Sequence, residues 1–261
     1  MRIPDHSVTG AGETTVVLLH GAFGAKEYWR PQMAALADAG YRVLAWDCPG
    51  YGLSPLPDPF SIEIAAEAAV ALLRAAGGPR NIVLGHSMGG MIAQRAYDYA
   101  PDLVHGLVLS ATSAAFGRSD GDWQKQFVAE RVAPLDAGRS IPDFAPAMLR
   151  RMMAKGAAGP DVERVIGVVA TMRPETFRAA VLALTQFDAR AVLPRITVPV
   201  LAIAGGQDLL AAPPAVMEKM AAKIAGAEYV CLDEAGHFAW AEMPDRFNAL
   251  LLDFLARRCA A

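Results

Sequence analysis

Residues 83–94, VLGHSMGGMIAQ, carry an apolar strand-like run into a helix-like one through a knot of glycines. Ser87 sits at the centre, with Gly85 two places before it and Gly89 and Gly90 just after. Gly85–Gly89 satisfy the pattern G-x-S-x-G, which gains meaning when a strand precedes it and a helix follows. A sharp strand-to-helix turn strains its central residue and crowds its flanks, so small residues are needed around it. The turn also projects the serine hydroxyl at a helix N-terminus, where free N–H groups and the dipole stabilise developing negative charge. This reading predicts an exposed nucleophile at Ser87 and a parallel α/β sheet beneath it.

The rest of the chain is consistent with such a sheet. Short Val-, Ile- and Leu-rich runs fall at Thr15–Leu19, Tyr41–Trp46, Asn81–Leu84, Val104–Leu109, Val198–Ala204 and Glu228–Leu232. Between most of them lie stretches of helical period: Tyr28–Ala39, Ile62–Ala75, Met88–Tyr99, Pro214–Ile224 and Pro244–Arg257. Continuous apolar strands imply burial on both faces, and strand–helix alternation implies a parallel sheet covered by helices. In such sheets sites collect beyond the carboxyl ends of the strands. The alternation breaks once, over residues 113–193, where only helical segments appear. That predicts a core domain of residues 1–112 and 194–261 with a helical cap, or lid, of 113–193 inserted between two of its strands. The insertion carries 11 Lys and Arg against 9 Asp and Glu; this reads as solvated helix faces, with a lid that favours anionic substrates as the lesser alternative.

Bulk properties narrow the function. A length of 261 residues suffices for a full core, and 54% hydrophobic with 20% charged residues is a globular composition. A net charge of -3 and no basic run argue against a nucleic-acid partner. The apolar runs fall short of the roughly 20 residues that span a bilayer, so no membrane partner is expected. The N-terminal stretch lacks an apolar signal segment. Cys48, Cys231 and Cys259 are scattered, which fits neither a disulfide framework nor a zinc site. The expectation is a cytoplasmic protein with no cofactor and no metal, acting on a small molecule.

A serine hydroxyl at neutral pH needs a base held by a third group. With an elbow of this kind the acid and then the histidine follow, each just past a strand. Of the five histidines only His237, in LDEAGHFAW, lies downstream of the insertion. Asp208, in the loop after the strand ending at Ala204, is the matching acid; Asp233 and Glu234 share a loop with His237 and are poorly placed to orient it. A second oxyanion donor is expected from HGAFG, where the Ala22 N–H would join that of Met88, with Phe23 the fallback if the loop shifts by one. His20 reads as a structural hydrogen-bonding group, and His105 and His6 as structural or exposed. His86, the x before the serine, is expected to point away from the base. Phe23, Phe238 and Trp123 are candidates for the substrate pocket. Phe127, Phe144, Met148 and Met152 are either further roof or the core of the lid.

Taken together, HGAFG, WDCPGYGLS, GHSMGG, AGGQD and AGHFAWAEMP resemble, in order, the landmarks of α/β-hydrolase-fold enzymes. The resemblance runs from about Thr14 to Leu255. It implies a mostly parallel sheet of about eight strands with an all-helical cap after the sixth, and triad roles for Ser87, Asp208 and His237. The lead before the first strong strand is short, so the opening antiparallel hairpin is expected to be truncated. Asp47, within WDCPGYGLS, corresponds to a position that is usually structural. Within the family the chain is most similar to 3-oxoadipate enol-lactonases and small esterases. A serine at position 87 argues against the dehalogenases and epoxide hydrolases, which attack with a carboxylate. The expected activity is hydrolysis of a small carboxylic ester or lactone through an acyl-enzyme. Carbon–carbon bond hydrolysis of a diketone-type substrate, cofactor-free perhydrolysis and ligand reception with little turnover use the same residues and stay open.

Overall fold

A computed structural model describes residues 3–117 and 121–259. Among these described residues seven strands form one sheet: β1 His6–Thr9, β2 Thr14–Leu19, β3 Arg42–Trp46, β4 Arg80–His86, β5 Gly106–Ser110, β6 Val200–Gly205 and β7 Glu228–Leu232. Their order is β1-β3-β2-β4-β5-β6-β7, with β1 antiparallel to β3 and every other pairing parallel. Six of the strands are the apolar runs of the sequence, and β2 through β6 are buried almost throughout because helices cover both faces.

The helices are α1 Arg30–Asp38, α2 Ile62–Ala76, α3 Met88–Tyr99, α4 Asp122–Asp136, α5 Ile141–Arg150, α6 Pro160–Ala170, α7 Pro174–Gln186, α8 Pro214–Ala221, α9 Ala239–Glu242 and α10 Pro244–Arg258. The run expected as one helix from Tyr28 divides into a 3₁₀ turn, Lys26–Trp29, and α1, with Pro31 in the first turn of α1. Proline suits that place because it has no N–H to leave unpaired.

The strand count differs from the expected eight. Among the described residues one short strand, β1, precedes β2, and the inserted helices α4–α7 follow the fifth strand. The ends of the insertion meet in an isolated antiparallel bridge between Ala115 and Asp188. Residues 1, 2, 118–120, 260 and 261, which fall within the expected core and cap ranges, lie outside the described residues.

The strand order determines where a site can form. From β2 the chain moves outward to β3, then crosses back to β4 on the other side of β2. The loops after β2 and β4 therefore leave neighbouring strands in opposite directions, and a crevice opens between them at their carboxyl ends. Pairing of Leu19 with Gly85 sets HGAFG directly beside the Ser87 turn. Pairing of Gly205 with Leu232 likewise sets the loops after β6 and β7 side by side.

Candidate active site

Ser87 occupies the turn between β4 and α3 with φ 53° and ψ −119°, a conformation that costs an L-residue about 1–3 kcal/mol. The surroundings hold it there. Its N–H donates to the Ser110 carbonyl at 2.9 Å, and its carbonyl accepts from the Thr112 hydroxyl at 2.7 Å and the Gly90 N–H at 2.9 Å. The flanking glycines answer a close approach of backbones. A Cβ on Gly85 would lie 2.2 Å from the Gly89 carbonyl oxygen, and one on Gly89 would lie 2.1 Å from that of Leu19.

Asp208 follows β6 and His237 follows β7, and both side chains are almost fully buried. His237 Nδ1 lies 2.5 Å from Asp208 Oδ2. The carboxylate also accepts the Ala211 N–H on Oδ1 at 3.0 Å and the Ala212 N–H on Oδ2 at 3.1 Å. Burial alone would raise the Asp208 carboxyl, but the His237 ring and these two N–H groups outweigh it and hold the group below its ordinary range. An ionised Asp208 accepts a proton-bearing Nδ1, so the lone pair of a neutral His237 lies on Nε2. Asp233 and Glu234 are exposed to solvent, away from this pair.

The HGAFG loop is pinned on three sides. His20 donates from Nδ1 to the Gly21 carbonyl at 2.8 Å and accepts the Cys48 N–H on Nε2 at 3.0 Å. Burial lowers the pKa of this ring, which matches the neutral form the two bonds require. The Gly21 N–H donates to the Tyr28 hydroxyl at 2.7 Å, and the Ala22 carbonyl accepts from the Tyr51 hydroxyl at 2.8 Å. A peptide N–H points opposite its carbonyl, so these bonds fix the directions of the Ala22 and Phe23 N–H groups. Among the described residues no acceptor takes the N–H of Ala22 or of Met88, the first residue of α3.

Ser87, Ala22, Phe23 and Trp123 line one chamber of about 50 Å³, together with Phe116, Phe127, Met152 and Leu210. From it opens a groove of about 800 Å³ that shares Trp123, Phe127, Arg131 and Met152. Phe144 and Met148 line that groove and not the chamber. Trp123 and Leu210, 57% and 63% exposed, stand at its apolar mouth.

Two expectations are corrected. Phe238 does not line the chamber; it is buried, with its ring 5.1 Å from that of His237 and 5.2 Å from that of His86. Its N–H is taken by Glu242 as the chain turns into α9, which directs the ring inward. His86 does not point away from His237; the two ring centres lie 4.8 Å apart with the planes tilted by 57°. Burial, followed by the neighbouring His237 and His20, pushes the His86 pKa well below its ordinary value, so the ring is neutral. His105 accepts the Asn81 N–H at 3.2 Å, and the His6 ring contacts the Pro4 carbonyl at 2.9 Å.

Glu242 carries no functional motif in the sequence. Its carboxylate accepts three N–H groups, from Ala154 at 2.7 Å, Gly236 at 2.9 Å and Phe238 at 2.9 Å. The His237 N–H in turn donates to the Met152 carbonyl at 2.8 Å. These bonds tie the histidine loop to the stretch between α5 and α6. The only available signal was an acidic residue five positions past the histidine, just before Met243-Pro244. Among the described residues no three His, Cys, Asp or Glu side chains cluster as metal ligands, and no helix is long and apolar enough to cross a membrane.

Compared with known proteins, residues 16–250 match the alpha/beta hydrolase family. A pimeloyl-[acyl-carrier protein] methyl ester esterase of Neisseria meningitidis is 30% identical over 245 residues, which are 92% of this chain and 76% of that protein. The enol-lactonase of Burkholderia xenovorans LB400 superposes with a TM-score of 0.81 at 29% identity, covering 97% of this chain and 96% of its own. A thermophilic esterase of Thermogutta terrifontis superposes with a TM-score of 0.84 at 28% identity, covering 97% and 93%.

Proposed function

This chain belongs to the alpha/beta hydrolase family, and from that premise we propose that it is a serine hydrolase of small carboxylic esters or lactones. The observation that carries the reading is a strained serine at the end of β4 opening into a chamber, with a buried aspartate–histidine pair past the ends of β6 and β7 in the same sheet. Ser87 Oγ attacks the carbonyl carbon as His237 Nε2 takes its proton. Negative charge develops on the carbonyl oxygen, and the Ala22 and Met88 N–H groups receive it, which their lack of other acceptors supports. Asp208, held ionised by three N–H donors, orients the imidazole and offsets its charge. Collapse of the tetrahedral intermediate breaks the C–O bond, and the leaving alkoxide takes the proton from His237. Water, deprotonated by the same nitrogen, then hydrolyses the acyl-enzyme.

The helices of residues 113–193 act as a cap on a core of 1–112 and 194–261, and Trp123 and Phe127 on α4 close the apolar chamber over Ser87. Hydrolysis of 4-nitrophenyl acetate and butyrate, followed by nitrophenolate release, tests the reading. Ser87→Ala is expected to lower kcat by about 10⁴–10⁶. Near-full activity in that variant refutes the mechanism, and a single slow turnover with a retained acyl group identifies a receptor instead.

A further inference from the structure

Arg131, on α4, is half-buried with its guanidinium carbon 3.5 Å from the centre of the Phe127 ring. It lines both the chamber that holds Ser87 and the groove that opens from it. Several other arginines of the inserted helices end on a carboxylate: Arg150 on Glu163 at 2.7 Å, Arg178 on Asp136 at 2.7 Å and Arg164 on Asp161 at 3.2 Å. Arg131 makes no ion pair or hydrogen bond with any described residue, although the chain carries 27 Asp and Glu against 24 Lys and Arg. Glu130 and Arg151 act on it only at longer range and with opposite signs, while burial pushes its pKa down to about 10. A guanidinium partly stripped of water and left unpaired costs free energy that an anionic partner would recover. Stacking on Phe127 occupies one face of the group and leaves its edge, where the five N–H donors lie, open to such a partner.

We propose that Arg131 binds the carboxylate of a substrate whose ester or lactone carbonyl sits at Ser87. The substrates are then monoanions: half-esters of dicarboxylic acids, or lactones bearing a carboxylate. This rests on the serine-hydrolase reading above. The planar fork of the guanidinium matches a carboxylate with two parallel N–H···O bonds. A single charge suits the site better than a dianion. Among the described residues Arg131 is the one cationic side chain of the chamber lining, whereas in the adjoining groove Arg139 and Arg151 share the lining with the carboxylates Glu130 and Asp143. The apolar wall of Phe116, Trp123 and Phe127 between serine and arginine suits the methylene chain that would join the two groups. Low polarity around the pair also strengthens its attraction.

The test compares 4-nitrophenyl hydrogen glutarate and adipate with neutral 4-nitrophenyl esters of matched length, as a ratio of kcat/KM within each protein. Wild type is expected to favour the half-esters by tenfold or more, mainly through KM. Arg131→Gln is expected to cut that ratio by about 10–100-fold, and Arg131→Lys to retain part of it. A ratio near one in wild type, or one unchanged in Arg131→Gln, overturns the proposal. Calorimetric titration of Ser87→Ala protein with monomethyl glutarate gives a readout free of turnover. Binding should weaken at least about tenfold when Arg131→Gln is added. Tighter binding of propyl phosphate than of the half-ester overturns the carboxylate assignment. Arg131-dependent binding without turnover of any ester would sink the hydrolase reading and leave the anion site standing. Turnover of neutral esters with no charge preference would do the reverse.

Discussion

Replacing Asp208 by Asn keeps the outline of the side chain and removes its charge. Three N–H groups converge on the carboxylate, one on Oδ1 and two on Oδ2, whereas an amide offers one oxygen and two further donors. With its oxygen at the Oδ2 position, the amide keeps His237 and Ala212 but turns an N–H against the Ala211 N–H. Turned over, it meets His237 with a donor and drives the ring proton onto Nε2, where the proposed base needs a lone pair. Hydrogen bonds to a charged group contribute about 1.5–3 kcal/mol each. One lost bond and two weakened ones should cost about 1–3 kcal/mol at pH 7, lowering Tm by about 3–10 °C for a protein of this size. The proposed imidazolium also loses its counter-charge, so kcat for a 4-nitrophenyl ester should fall by about 10³–10⁴. The pH dependence has a definite sign. Folded Asp208 titrates below its ordinary value, so it binds fewer protons than the unfolded chain as pH falls through that region. Its stabilisation is complete above the unfolded value of about 4 and is lost as pH falls through the folded one. The Tm gap between wild type and variant, followed by calorimetry, should be flat near neutrality and close below about pH 4. A kcat within tenfold of wild type refutes the orienting role, and a gap that widens in acid refutes the electrostatic argument.

Gly89→Ala drives a Cβ to within 2.1 Å of the Leu19 carbonyl oxygen and 2.7 Å of that of His20. Both are backbone atoms, so β2 and α3 must separate, at a cost of about 3 kcal/mol or more; a Tm within 3 °C of wild type, where about 6 °C or more is expected, contradicts this. Glu242→Gln leaves one oxygen for three N–H groups, so amide exchange at Gly236 and Phe238 should quicken and kcat fall about tenfold through a looser His237. Unchanged exchange at both amides would exclude the clamp. Ser87→Gly relieves a φ of 53° that Ser87→Ala retains. The glycine variant should melt about 1–4 °C above the alanine variant while both are inactive, and equal Tm values would show that the turn stores no strain.

The parts of the candidate site that are legible in the sequence are those that end a buried strand. Ser87, Asp208 and His237 each follow an apolar run within a few residues, so a local pattern locates them. β1 is not legible in the sequence because it is four residues on the sheet edge, partly exposed, without an apolar signature. The β3 ladder, the Asp47 N–H on the Asp5 carbonyl at 2.8 Å and the Lys26–Asp5 contact at 2.7 Å hold that segment in place. The orientations of His86 and Phe238 depend on how rings from the ends of β4 and β7 pack together. Glu242 bonds to Ala154, 88 residues away, and Arg131 is conspicuous only by the absence of a partner. Such relations arise in packing and leave no mark on a local stretch.

The division between what was legible and what was not follows the division of labour in the molecule. The residues proposed for bond-making stand on strand ends, where parallel pairing fixes neighbouring loops at one level and Ser110 and Thr112 hold Ser87 against its strain. A constellation that must hold its geometry closely gains from so rigid a base. The residues proposed for selecting the substrate, Trp123, Phe127 and Arg131, lie instead on α4, within the inserted helices. Such a segment can change its lining without disturbing the sheet. One covalent mechanism can therefore be kept while charge and length preferences are reset by a few side chains on a single helix. The Arg131 variants test that separation directly, because they should alter which ester is chosen far more than how the bond is broken.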